Sequence, residues 1–211
     1  MSIISRSNPL NLQYRICIVT AASSALGIII CKTLLKANAF VLGIDTRPKD
    51  PSLNAGQGTH FQFLQCDVQE ERAAQKVVAT AREKFDGIER IDVLVTLAGS
   101  EGEVDGLDRL SEIVGDVMAH EGRGSIIHIL VGDEKWEKAR SKLVRLDGNL
   151  EDLSPDTSRR VTRDVPSANE GTKQAASNLY EIANLALFLA GDMSEECAGR
   201  IVHPDGASST L

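Results

Sequence analysis

Short apolar runs and longer helical stretches take turns along the first hundred residues of this chain. Ile16-Cys17-Ile18-Val19 has the character of a buried strand, and it passes through a run of small residues into a helical pattern from about Ala25 to Lys36. Phe40 to Ile44 reads as a second strand closing on Asp45, and His60 to Cys66 as a third ending on Asp67-Val68. Ala74, Val77, Val78, Ala81 and Phe85 recur at helical spacing within residues 70–85, so one face of that helix packs on a sheet. Ile91 to Val95 is a fourth strand, followed by Thr96-Leu97-Ala98-Gly99 as a small-residue bend. Regular alternation of strand and helix implies parallel strands joined by right-handed crossovers. The expected fold class is α/β, a doubly wound parallel sheet.

Beyond Gly99 the pattern loosens. A helix over Leu107 to His120 and a Gly-Arg-Gly turn lead to a fifth strand, Ser125 to Val131. A charged helical run follows from Glu134 to Leu146, then a long polar loop over 147–170 without periodicity. Pattern returns with a helix through Leu179 to Ala190 and a last strand near Ile201. The chain thus divides into a flexible lead-in, residues 1–13, and a single domain, 14–211, carrying an irregular insert at 132–176. The sheet is expected to be Rossmann-like but truncated, with about five to six strands.

A length of 211 residues suits one domain with a single sizeable core. The formal net charge of −7 argues against nucleic acid, which needs a basic face. No apolar run approaches the roughly 20 residues that span a bilayer, and Met1 to Gln13 lacks the apolar centre of a secretory signal. Cys17, Cys31, Cys66 and Cys197 are scattered, without metal-ligand spacing, and three of them sit in apolar patterns. Reduced thiols in a cytoplasmic protein, with no metal, are the plain expectation.

The chemistry concentrates where the first strand meets its helix. In Thr20-Ala21-Ala22-Ser23-Ser24-Ala25-Leu26-Gly27, small residues would let a pyrophosphate approach the backbone N–H groups at a helix N-terminus. The spacing resembles the Thr-Gly-x-x-x-Gly-x-Gly turn of the short-chain dehydrogenase/reductase (SDR) family, with Ala21 and Ala25 at the first two glycines and Gly27 kept. Four further stretches resemble the family in order. They are Cys66-Asp67, Thr96-Leu97-Ala98-Gly99 against Asn-Asn-Ala-Gly, Gly124 to Val131 against Gly-Ser-Ile-x-Asn-x-Ser-Ser, and Leu179 to Asp192 with the closing strand and Asp205-Gly206 turn. The look is most similar to fungal SDRs of secondary-metabolite pathways.

The resemblance implies an NAD or NADP site built from Thr20, Ser24, Leu26, Gly27, Asp45, Asp67, Ala98 and Gly99. Asp45 stands where an acidic residue takes the ribose hydroxyls; a solvated strand-end aspartate is the other reading. Asp45 leans towards NAD, while Arg47 and Lys49 lean towards NADP. Asp67 matches the residue that meets the adenine edge, and it equally suits the cap of a helix starting near Glu70. His128 reads as a packed or edge residue of its strand rather than a catalyst.

SDR catalysis requires a Tyr four residues before a Lys, so that the ammonium lowers the phenol's pKa for proton exchange with substrate. Tyr14 is followed at that spacing by Ile18, and Tyr180 by Asn184. Leu130-Val131 stand where the family has its serine. Lys142 is the candidate remnant of the lysine, the alternative being one charge on a solvated helix. Three readings follow: an NAD(P)-dependent oxidoreductase acting on an alcohol or ketone of a natural product, without its usual proton machinery; a scaffold turned to redox-free isomerase or cyclase chemistry; or a non-catalytic or shortened, inactive product. A small-molecule substrate and a monomer or weak homodimer are expected, because the helices that pair in this family look shortened.

Overall fold

The computed structural model describes residues 10–54, 58–85, 90–98, 104–131, 142–146, 170–197, 200–202 and 208–210. In chain order the main elements are β1 (Ile16–Val19), α1 (Ala25–Lys36), β2 (Phe40–Asp45), β3 (Phe61–Gln65), α2 (Ala73–Lys84), β4 (Val93–Ala98), α3 (Val104–His120), β5 (Ser125–Val131), β6 (Lys142–Leu146), α4 (Glu170–Ala190), β7 (Arg200–Val202) and β8 (Ser208–Thr210). One sheet holds the strands in the order β3-β2-β1-β4-β5-β6-β7-β8. Every neighbouring pair is parallel except β7 with β8. The first five strands form the expected Rossmann-like half, ordered β3-β2-β1-β4-β5.

Alternation along each strand builds two cores. Cys17, Val19, Val41, Val93, Val95, Leu97, Ile127 and Ile129 face the helices α1 and α4, with Ile30, Leu34, Ala183 and Ala186 in the same cluster. Ile16, Ile18, Leu42, Ile44 and Leu94 face α2 and α3, whose Val77, Ala81, Leu110 and Val114 complete the second cluster. A strand buried on both faces reads as continuous apolar sequence, which is why Ile16 to Val19 shows no polar position. The double winding is therefore a consequence of side-chain direction at period two.

Helix α1 has sharp ends. The Ser24 side chain accepts from Gly27 N at its start, and Asn38 turns the chain just past its end at φ 66°. Leu12 is fully buried and its N–H donates to Ala37 O at 2.7 Å; residues 1–9 of the expected lead-in lie outside the described residues. Leu12 docks the start of the described chain against the end of α1.

At the opposite end of the strands from α1's start, Asp92 holds β1, β4 and β5 together. Its buried carboxylate accepts from Ile16 N at 3.0 Å and from Arg90 Nε at 3.1 Å, and it pairs with Arg123 at 3.3 Å. Its own N–H donates to Ile16 O, and its carbonyl accepts from Ser125 N.

Three expectations are corrected here. The helical run over 134–146 does not extend to its end: 142–146 is β6, paired with β5 from Ile127↔Lys142 to Val131↔Leu146 and with β7 at Leu143↔Ile201. A five-residue stretch is too short for periodicity to separate strand from helix, and the edge of β5 supplies the backbone partners that decide it. The insert at 132–176 accordingly contains β6 and the start of α4; its remaining residues lie outside the described ones. Among the described residues the sheet has eight strands, more than the five to six expected, because β6, β7 and β8 extend it past β5.

Candidate functional site

The ends of β1, β2 and β3 and the start of α1 meet on one edge of the sheet. Thr20, 2% exposed, leaves β1 by donating its N–H to Val95 O at 3.0 Å, and its Oγ1 accepts from Leu97 N at 3.0 Å. Ala22 N donates to Ile44 O at 3.0 Å, and Ser23 N donates to Asp45 Oδ2 at 2.8 Å. The turn is thus tied to β4 on one side and β2 on the other. Gly43 permits this approach, because a Cβ there would lie 2.8 Å from the Ala22 methyl.

Ala21 adopts φ 48°, the left-handed conformation that a glycine takes without strain. An L-residue there costs about 1–2 kcal/mol, against the ~0.5–1 kcal/mol that glycine costs through the unfolded chain. Ala21→Gly is therefore expected to leave stability unchanged or raise it by up to ~1 kcal/mol. Its urea midpoint checks this; a clear fall would contradict the strain.

Gly27 fills a different need. A Cβ on it would sit 2.1 Å from Ala21 O and 2.9 Å from Ala22 Cα, so only a bare α-carbon lets the helix start against the turn. Gly27 N is capped by Ser24 Oγ at 3.0 Å, and Ile28 N donates to Ser24 O at 2.9 Å. The Ala25 and Leu26 N–H groups have no acceptor among the described residues, although those residues are 6% and 2% exposed. Two buried donors without partners at the positive end of a helix dipole are an anion-binding arrangement.

Asp45 is buried and heavily engaged. Besides Ser23 N it accepts from Arg47 N at 2.9 Å, Arg47 Nε at 3.1 Å and Arg47 Nη2 at 3.0 Å. That two-point pairing raises the Arg47 guanidinium above its ordinary pKa, and the side chain is half exposed. The expectation of a solvated strand-end aspartate is not met: the residue is part of the turn's architecture. Asp67 lies on the neighbouring strand end, since Cys66 N donates to Asp45 O at 3.0 Å. Its exposed carboxylate accepts from Gln69 N at 2.9 Å, an Asx turn. It does not cap α2, which starts at Ala73, later than the expected start near Glu70, behind Arg72 with no side-chain cap.

On the far side of β1, β4 runs on through Ala98 instead of bending at Thr96. Thr96, Leu97 and Ala98 pair with His128, Ile129 and Leu130. An apolar Leu97, 5% exposed in the α1–α4 core, continues the strand where a polar side chain would have left it. Thr96 Oγ1 and His128 Nδ1 share a 2.6 Å hydrogen bond, with the two residues 1% and 2% exposed. This pair was not legible in the sequence, which marked only His128, as packed. Gly99 lies outside the described residues. Lys142 opens β6 opposite Ile127 rather than standing on a helix, so the geometry of a helical Tyr-x-x-x-Lys remnant does not apply to it.

Burial lowers the His128 imidazole to a pKa of about 4 from its ordinary 6.5. The unfolded chain then binds a proton that the native state does not between these values. Stability is full above pH 6.5 and falls as pH drops towards 4, by on the order of 3 kcal/mol for this residue. Urea unfolding of wild type and His128→Asn from pH 7 to pH 4 should show the wild type losing more by that amount. Parallel curves would refute the assignment. Burial likewise pushes the Cys31 thiol up to about 12 and raises Cys17 and Cys66, so none of the three is a ready nucleophile. No group of three or more metal-ligating side chains occurs among the described residues, and no described helix is long and apolar enough to cross a membrane.

The profile of the short chain dehydrogenase family matches residues 15–120, which span this whole turn and the first four strands. The chain belongs to the short-chain dehydrogenase/reductase family. It is 36% identical over 88 residues to the short chain dehydrogenase ple7 of the fungus Rhodocybe pseudopiperita, covering 42% of this chain and 33% of that protein. At that level the SDR chain spans only about a third of its curated relative. It is 24% identical over 257 residues to the short-chain dehydrogenase/reductase cdmF of Talaromyces verruculosus, covering 95% of this chain and 99% of that one. An alignment longer than the 211-residue chain means that cdmF carries internal segments this SDR lacks. Among solved structures, gox2181 superposes with a TM-score of 0.66 at 17% identity, covering 92% of this chain and 95% of that one, a likeness of fold.

Proposed function

We propose that this SDR binds NAD or NADP at the start of α1 and acts, at a rate far below the family's, on an alcohol or ketone of a natural product. The single observation that carries the reading is the pair of buried N–H donors on Ala25 and Leu26 that have no acceptor among the described residues, just past Ser23, whose N–H meets the Asp45 carboxylate. These residues fit a dinucleotide. The two N–H groups would hold the pyrophosphate, with Gly27 keeping the helix start close to the turn. Asp45 would take ribose hydroxyls in exchange for part of its Arg47 pairing, Arg47 would stand beside them, and Asp67 would lie at the adenine edge. When bound, the nicotinamide supplies or accepts a hydride.

What the chain does with the accompanying proton is the weak step. Neither Tyr14 nor Tyr180 has a lysine one helical turn on, and Leu130-Val131 offer no hydroxyl. Loss of a positioned general acid–base removes about 10²–10⁴ of rate. The natural-product substrate class comes from the likeness to fungal relatives. A cytoplasmic monomer or weak homodimer is part of the same proposal. Titration of the purified chain with NADH and NADPH tests it: saturable binding of at least one, with turnover near background, is the expected result. No binding of either at millimolar concentration overturns the reading.

A further inference from the structure

We infer that this chain selects NADP over NAD, because Arg47 already fills the carboxylate that NAD would need and keeps donors to spare for a 2′-phosphate. This rests on the proposed dinucleotide site and deepens it. An acidic residue closing the second strand ordinarily favours NAD, since its carboxylate takes the free hydroxyls of the adenosine ribose. Here the geometry reverses that preference.

A carboxylate offers about four acceptor positions, two on each oxygen. Asp45 Oδ1 accepts from Arg47 N at 2.9 Å and Arg47 Nε at 3.1 Å. Asp45 Oδ2 accepts from Ser23 N at 2.8 Å and Arg47 Nη2 at 3.0 Å. Protein donors therefore fill every position, on a residue that is 5% exposed. The 2′-hydroxyl of NAD needs an acceptor, and it gains one only by displacing the guanidinium from a buried carboxylate. A 2′-phosphate makes no such demand, because it needs donors instead. Arg47 has them. With Nε and one Nη2 hydrogen on Asp45, Nη1 and the second Nη2 hydrogen have no acceptor among the described residues. The side chain that carries them is half exposed.

The guanidinium is also held in place before any ligand arrives. Its own backbone N–H is on Asp45, and the carbonyl of the next residue, Pro48, accepts from Ser23 Oγ at 2.9 Å. Residues 45–48 are thereby fastened to the turn between β1 and α1. A planar fork already fixed by a carboxylate gives up little freedom when it meets a phosphate.

Calorimetry on the full chain with NADPH and NADH, for wild type and Arg47→Ala, tests this. Wild type is expected to bind NADPH at least fivefold tighter than NADH, a difference of about 1 kcal/mol or more. In Arg47→Ala the order reverses: NADPH loses its phosphate partner, while NADH gains an acceptor position on each Asp45 oxygen. An arginine with a merely structural role would weaken both nucleotides alike. A wild-type ratio under fivefold, or a folded variant in which NADH does not overtake NADPH, overturns the inference while sustaining the proposed function. Should the variant fail to fold, the wild-type ratio decides. Binding of neither nucleotide to wild type overturns the inference and the proposed function together.

Discussion

Gly27→Ala is expected to destabilise the SDR by about 2 kcal/mol or more and to abolish saturable NADH and NADPH binding. The added methyl meets Ala21 O at 2.1 Å and the Ala21 and Ala22 backbone at 2.9 Å. None of these atoms belongs to a flexible side chain, so the turn or the helix must move. Overpacking of this kind costs about 1–3 kcal/mol and sometimes more. Alanine's better helix propensity returns about 1 kcal/mol at most, which does not offset a clash with three backbone atoms. The displacement falls on the segment that aims the Ala25 and Leu26 N–H groups and ties Ser23 to Asp45. Urea unfolding and a nucleotide titration on the same preparation check both parts. A variant with the wild-type midpoint would show that the turn has room the structure denies it.

The second large effect lies at the other end of the strands. Asp92→Ala removes the acceptor for Ile16 N and the shared partner of Arg90 and Arg123. Breaking a buried ion pair from one side costs about 3–5 kcal/mol. The arginine side chains here are 34% and 53% exposed, so water takes back part of their loss. The Ile16 N–H sits in a fully buried strand and has no such recourse. A loss of about 3 kcal/mol is expected, dominated by that orphaned donor. Asp92→Asn, which keeps an acceptor for Ile16 N, should recover roughly half of it. Denaturant midpoints of the two variants against wild type decide the matter. Equal losses for Ala and Asn would assign the effect to charge instead of to the backbone donor.

These two residues show how unevenly the chain could be read. Gly27 was visible as the surviving member of a spaced pattern of small residues, because a close helix start requires a missing side chain wherever it occurs. Asp92 was invisible: it is the one acidic residue in the Ile91 to Val95 stretch, and its partners lie 76 positions back and 31 positions on. Asp45 falls between them. Its position at the end of β2 was legible, but its saturation by Ser23 and Arg47 depends on how the turn folds over the strand.

Sequence by itself determined what is local. The apolar runs of β1 to β5, the periodic faces of α1 and α2, the Ser24 cap and the small-residue turn follow from side-chain period and backbone sterics within a few residues. Absence of a Tyr-x-x-x-Lys pair is equally a matter of reading the chain. Only the tertiary structure decided that 142–146 is a strand, that β4 continues through Ala98, and that Thr96 meets His128. Each depends on the register between segments far apart in the chain. Backbone hydrogen bonding across a sheet edge, and the burial that enforces it, outweigh the weak local preferences of five-residue stretches.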